Sequence, residues 1–448
     1  MEVRLRYCLR ILTAAAFLMA SVEAHALQIS LNTAVDLALK NDPRVKMARA
    51  SVTKAEAVLS EARDVYIPNV GVKGGYGAST GVPLNVPIVF SLASDSLLFN
   101  FSQRDTVRAA NDGLKAAQLA LLDTEQQTSA DVADTYLSLD NAQKKYAAFS
   151  AQSQYADRLI AIVQARVDAG QDTRMELLKA QRTGAQVKLA ALNNEDEMVT
   201  LREHLGRLVG LPSSQLTTVS ESIPPLPAID ALPTLSTEGP GVQASFAAAL
   251  SKQEQAFGES RYSYRPQVAF GANYSRITTT HTNYPLYYPG FAQQHSDNAL
   301  SVGLEISIPI FDYEHNAHAR ETAAEAVRAL AEAQNNQIQF LEGRSKLLRS
   351  LQEINARREI ASLDNKIAQE QLDAILLQLN SSSSDASGTV MTPKDEQSAR
   401  LQEQQRLVDL LLAKGDLDTA EIDLLRQDGE LADWLKSRSS ISTTSSRY

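Results

Sequence analysis

Apolar and polar residues alternate one by one in four short stretches of this chain. Elsewhere the apolar positions recur mostly at every third or fourth step. The alternation is cleanest where Val302, Leu304, Ile306, Ile308 and Ile310 interleave with Ser301, Gly303, Glu305 and Ser307. Val268, Phe270, Ala272 and Tyr274 likewise oppose Gln267, Ala269, Gly271 and Asn273, and Val70, Val72 and Tyr76 oppose Asn69, Gly71, Lys73 and Gly75. A fourth stretch is fainter, because Ser94 and Ser96 stand in the apolar register. A period of two makes a strand with one apolar and one polar face. Strands are therefore predicted at about 67–77, 88–99, 266–276 and 300–310.

The remaining pattern is helical and unusually long. No Gly or Pro occurs from Leu114 to Ala169, a stretch that as helix would run roughly 84 Å. From Ile310 to Asn380 only Gly343 interrupts. Leu119, Leu122, Ala130, Ala133 and Leu137 mark a narrow apolar stripe of the kind buried in bundled coiled coils.

The pattern is written twice. Residues 54–77 align without gaps on 252–275, with Lys54/Lys252, Glu61/Glu259, Tyr66/Tyr264, Pro68/Pro266 and Tyr76/Tyr274 among the identities. Further along, Phe99 faces Phe311, Arg108 faces Arg320 and Gly210 faces Gly429, the offset growing as the second half takes on longer loops. An internal duplication accounts for this. The first repeat is read as 27–210 and the second as 241–435. Between them, 211–240 holds Pro212, Pro224, Pro225, Pro227, Pro233 and Pro240 and reads as a linker or equatorial belt. SSSSDASG at 381–388 reads as a loop tip, and 436–448 as a disordered tail.

Charge and targeting narrow the setting. The 448-residue chain carries a formal charge of −10, which argues against a nucleic-acid partner. Residues 1–26 combine Arg4, Arg6 and Arg10, the apolar run ILTAAAFLMA and the small-residue site Ala24-His25-Ala26. That is a secretory signal peptide cut before Leu27. Cleavage would remove Cys8, the single cysteine, and with it any disulfide, thiolate metal ligand or lipid attachment. No later run is apolar enough for a membrane helix. A secreted chain can still span a bilayer as a β-barrel, in strands of about 9–11 residues. Four strands cannot close a barrel, so copies must share one. Three chains would give twelve strands, continued by a barrel of long helices.

These features together resemble the TolC-like outer-membrane efflux proteins over the whole mature sequence. LNTAVDLALKNDP at 31–43 looks like that family's opening helix and its break, with Asp42 as N-cap before Pro43. Tyr66-x-Pro68 and Tyr264-x-Pro266 look like starts of membrane strands, and Ile308-Pro309-Ile310-Phe311-Asp312 like a strand exit. Arg166-Val167-Asp168-Ala169-Gly170 with Glu176-Leu177-Leu178 looks like the turn at the periplasmic tip. The resemblance implies a mainly α fold with a small β part and an internally duplicated protomer. It has four membrane strands and long antiparallel periplasmic helices. The trimer forms a 12-stranded β-barrel continued by an α-helical barrel. It implies a passive exit duct in the outer membrane, of a tripartite efflux or type I secretion system. Its partners would be a periplasmic adaptor, an inner-membrane pump and outer-membrane lipid. It implies no cofactor and no catalysis. The alternative from a different class is a periplasmic coiled-coil scaffold without a pore.

Two sets of site residues follow. Val70, Val72, Tyr76, Val268, Phe270, Tyr274, Val302, Leu304, Ile306 and Ile308 are the lipid-facing candidates. Gly170, Asp172, Arg174, Glu176, Lys394 and Asp395 are the candidates for the tip, for adaptor docking and for the aperture. Glu176 stands six past Gly170, and Asp395 is its repeat mate. Arg174 and Lys394 are expected to pair with these carboxylates and hold the tube shut. The second half departs from the family here, with a longer Ser-rich tip. Glu314, His315 and His318 have helical spacing for a metal, but the ligand count is too low for zinc. The aromatic loop 276–299 is read as an external lip, packed across the trimer.

Overall fold

A computed structural model describes residues 27–75, 88–213, 216–227, 238–262, 265–277, 298–381 and 391–436. Tyr76, Tyr264, the leader, most of the aromatic loop, the Ser-rich tip and the tail lie outside the described residues. The fold is mainly helical with a small β part. It divides into two compact units, one of residues 47–123 and 237–342, the other of 1–46, 124–236 and 343–448.

The first unit carries the sheet. β2 (Asn69–Gly74), β3 (Ile88–Phe99), β5 (Gln267–Ile277) and β6 (Asn298–Ser307) pair antiparallel in the order β2-β3-β5-β6. A hairpin from each repeat therefore meets its mate at the β3–β5 seam. Cross-strand rows fix the faces. Val70, Ser94, Ala272 and Val302 share one row, and Val72, Leu92, Tyr274 and Leu300 another. The opposite face offers the row Asn69, Asp95, Gly271, Gly303. β6 ends at Ser307, so Ile308, expected in the strand, lies just past it. Pro309, which has no N–H for a ladder, follows at once. Below the sheet, α2 (Pro43–Asp64), α3 (Phe101–Asp168), α5 (Pro240–Ser260) and α6 (Tyr313–Ser381) contribute helix. Gln103 donates to the Ala62 carbonyl at 2.7 Å, Ser251 to that of Ala109 at 2.6 Å, and Lys252 pairs with Glu325 at 2.9 Å. The helices are thus laid side by side as α2-α3-α5-α6. Here α3 already begins at Phe101, ahead of the predicted Leu114. Gly113 sits inside it, where an added Cβ would meet the Ser251 hydroxyl at 3.3 Å.

The second unit is helical except for one small sheet. It contains α1 (Leu31–Asn41), α4 (Arg174–Val209), α7 (Pro393–Asp428) and α8 (Leu431–Lys436), with the distal parts of α3 and α6. Contacts run α4-α3-α7-α6. Lys145 of α3 reaches Glu197 of α4 at 2.8 Å. Asn141 of α3 donates to the Leu411 carbonyl of α7 at 2.7 Å, and Arg406 of α7 faces Asp364 of α6 at 3.6 Å. The repeat-related Gly210 and Gly429 end α4 and α7 in left-handed geometry, at φ 77° and 79°. The proline-rich 211–240 is more than a linker. β4 (Leu216–Thr218) pairs parallel with β1 (Leu27–Ile29), and a short 3-10 turn follows at 220–222. The fully buried Tyr136 holds this strap: its hydroxyl donates to the Ile29 carbonyl at 2.7 Å and accepts from the Val219 amide at 2.7 Å. Trp434 of α8 closes the other side, donating to the Pro225 carbonyl at 3.2 Å.

Candidate functional site

Three surfaces can do something beyond holding the fold. The first is the apolar sheet face. In an isolated chain Val70 and Leu304 are each 67% exposed, and Val72, Leu300, Val302 and Ile306 are similarly open. A sheet face this apolar, facing water, would be an aggregation site unless something apolar covers it. Among the described residues the outer edges of β2 and β6 carry no strand partner. No described helix is long and apolar enough to cross a membrane, which says nothing about the strands.

The second surface is the pair of flanking helices in the second unit. Met175, Leu178, Leu189, Leu192 and Val199 stand exposed on α4 at steps summing to whole heptads. Ile360, Leu363, Ile367 and Leu377 do so on α6. Both stripes have coiled-coil spacing and stand open to solvent among the described residues.

The third is the hairpin tip. α3 ends at Asp168, and Gly170 turns the chain with φ 73°. Arg166 reaches across this turn to Asp172, Nε to Oδ2, at 2.8 Å. Glu176, in the first turn of α4, accepts from Lys179 at 2.8 Å and from Lys394 of the other hairpin at 3.1 Å. The same Lys394 ammonium stands 3.6 Å from Asp172. The hydrogen bond from Arg166 holds the Asp172 carboxyl below its ordinary pKa, helped by the Lys394 charge. Those from Lys179 and Lys394 do the same for Glu176.

Lys394 lies against Glu176, whereas Asp395 and Arg174 are placed otherwise. Asp395 is turned inward on its own helix start, accepting from the Thr392 amide at 2.8 Å in a capping box. Arg174 is exposed, with no ion pair among the described residues. Arg166 and Asp172 lie six positions apart across a turn, which is no helical spacing, so this pair was not legible in the sequence. The capping box was legible as Thr392-x-x-Asp395.

The other polar candidates have structural explanations. His315 Nε2 lies 2.9 Å from the Glu259 carbonyl oxygen and 3.3 Å from its carboxylate, and its ring centre lies 3.9 Å from that of Tyr262, the planes tilted by 37°. His318 faces Glu321 at 3.4 Å, so the two imidazoles do not converge. Among the described residues no group of three or more His, Cys, Asp or Glu is arranged to hold a metal ion.

Comparison with known proteins agrees with this geometry. Residues 34–211 match the family model described as outer membrane efflux protein. A search of curated protein sequences gives no match. Among solved structures, the outer membrane protein VceC of Vibrio cholerae superposes with a TM-score of 0.69 at 17% identity, covering 89% of this chain and 95% of its own. The CmeC outer membrane channel of Campylobacter jejuni gives 0.68 at 17%, covering 90% and 86%. The open state of the MtrE outer membrane channel of Neisseria gonorrhoeae gives 0.71 at 15%, covering 92% and 93%.

Proposed function

We propose that the chain is a TolC-like outer membrane efflux protein, an exit duct of the outer membrane whose own residues build and close the duct. Three copies join edge to edge, β6 of one against β2 of the next, so that twelve strands close a barrel. The observation that carries this is the sheet itself: one apolar, exposed face and two edges without partners among the described residues. An open edge in a bilayer would leave backbone N–H and C=O groups unpaired, at several kcal/mol apiece, so closure by neighbours is obligatory. Val70, Val72, Val268, Phe270, Tyr274, Val302, Leu304 and Ile306 then face lipid, with Ile308 at the rim. Asn69, Asp95, Asn273, Ser301 and Glu305 line the water side.

The exposed stripes support the same assembly. α6 of one protomer zips onto α4 of the next, burying Leu363 and Ile367 against Leu189 and Leu192. The ring becomes a periplasmic helical barrel. Substrate moves through it without any step of bond chemistry. The driving force comes from an inner-membrane transporter reached through a periplasmic adaptor that docks at the hairpin tips.

At the tip, Lys394 is the latch. It ties the second hairpin to Glu176 and Asp172 of the first. Arg166 fixes Asp172 in place to receive it. An adaptor that separates the hairpins breaks contacts of Lys394 first. A scaffold without a pore is the less favoured reading, because it has no use for an apolar sheet face. Detergent-solubilised protein in planar bilayers tests the choice. A trimer with a steady, low basal conductance is the result for a closed duct; a monomer that leaves the bilayer silent would discard it.

A further inference from the structure

Where β3 leaves the sheet, the two-residue alternation slips. Leu97 pairs with Ala269, but Phe99 pairs with Val268, so Leu98 is a bulge. Val268 stands on the apolar face. Two consecutive apolar residues, Leu98 and Phe99, therefore stay on its rim, and both are exposed. Beneath them opens a recess of about 410 Å³ walled by Tyr66, Leu98, Phe99, Arg104, Val107 and Arg108. Its upper wall continues the lipid-facing surface. Its floor is the first turns of α3, which present two guanidinium groups.

The charges in this corner do not cancel. The buried Asp105 is shared between Arg108 at 3.1 Å and Arg261 at 3.1 Å, and Glu254 stands 4.0 Å from Arg108. Arg104 is exposed and has no acidic partner among the described residues. Its charge is close enough to act on Tyr66, whose hydroxyl pKa is raised by burial and lowered in part by Arg104. Arg108 is 59% exposed in spite of its ion pairs and keeps donors free. A fork of arginine donors beneath an apolar wall suits a phosphodiester that carries acyl chains.

We propose that this recess binds one anionic glycerophospholipid of the periplasmic leaflet, its phosphate between Arg104 and Arg108 and an acyl chain along Leu98 and Phe99. The leaflet follows from position, since the recess lies on the helical side of the sheet and most of the duct is periplasmic. The site belongs to one repeat only. At the repeat-related place Arg108 has a mate in Arg320, but Arg104 is replaced by Asn316. The stoichiometry is then one lipid per protomer, three per duct.

This goes beyond conduction and is measured apart from it. The full-length detergent-solubilised protein would be examined by native mass spectrometry after addition of phosphatidylglycerol, phosphatidylethanolamine or inorganic phosphate. Phosphatidylglycerol should be retained up to one per chain, and in preference to phosphatidylethanolamine. Arg104→Glu should weaken retention by at least about fivefold, as expected for removing and reversing one interfacial arginine. Arg104→Lys should keep most of it, and Arg320→Glu on the other repeat should leave it unchanged. Single-channel conductance should be the same in all three variants, so a failed lipid result leaves the duct reading intact. Equal retention by Arg104→Glu would overturn the site. So would equal retention of both lipids, an equal loss in Arg320→Glu, or competition by millimolar inorganic phosphate.

Discussion

At the scale of single residues, the tip and the α6–α7 seam titrate in opposite directions. Asp172 and Glu176 have pKa values lowered by their cationic partners. Their ion pairs are complete at neutral pH and are lost only as pH falls through and below the ordinary carboxylate range of about 4. Lys394→Glu should therefore raise basal conductance at pH 7, by mutual repulsion with Glu176. The wild type should show a rise only in strong acid. Single-channel recordings across pH 3–8 check both, and a variant that conducts like the wild type at every pH would remove Lys394 from the gate. Glu421 behaves the other way. It is 8% exposed on the stripe of α7 that also carries Leu417 and Leu424, and burial followed by the nearby Asp418 charge lifts its pKa to about 7. An acid raised in the folded state costs stability as pH climbs from its ordinary 4.5 to about 7, and the cost stays above that. Glu421→Gln should stabilise the protein at pH 8 by something on the order of 2 kcal/mol and have little effect at pH 4.5. Thermal melts at the two pH values measure this.

At the scale of elements, what could be read from sequence was what repeats. Alternation over ten residues marks a strand, as at Ser301–Ile310, because a one-residue slip would turn every side chain to the wrong face. The 68 residues of α3 announce themselves by a stripe and by the absence of proline. β1 and β4 escaped because three residues hold no period. Their evidence is tertiary, namely a tyrosine on α3 whose hydroxyl serves two backbone groups 83 and 107 positions away. Tyr136→Phe should leave those groups unpaired and cost about 1–3 kcal/mol, seen as a lowered melting temperature with unchanged helical circular dichroism. The contacts of Lys394 were half legible. Glu176 was named from its spacing past Gly170 and Asp395 as its repeat mate, but which carboxylate each cation meets depends on how the hairpins sit beside each other, and spacing does not carry that. The stripes on α4 and α6 lead to an element-scale expectation as well. Leu363→Asp with Ile367→Asp should yield folded monomers in detergent, because each aspartate would have to be buried unpaired in the seam between protomers. Trimer persistence in native mass spectrometry would show that α6 is not the joining helix.

For the whole molecule, the decisive contrast lies between the two faces of one small sheet. Phe270 and Asn273 belong to the same strand, three residues apart, and project from opposite faces. If the sheet is a quarter of nothing and stays in water, arginine should be tolerated better on the exposed apolar face than apolar residues are, and Phe270→Arg would improve solubility. If it is a third of a barrel wall, Phe270→Arg places a charge in hydrocarbon, at a cost of about 2–4 kcal/mol near the bilayer midplane for each of three copies. The variant should then fail to appear in the outer membrane fraction. Asn273→Arg puts the same side chain into the water-filled interior, where it should insert normally and shift ion selectivity toward anions, since Asp95 and Glu305 outnumber Lys73 on that face. Membrane fractionation and reversal-potential measurements on this pair separate a wall from a loose sheet. Equal insertion of both variants, with equal selectivity, would mean that neither face meets lipid.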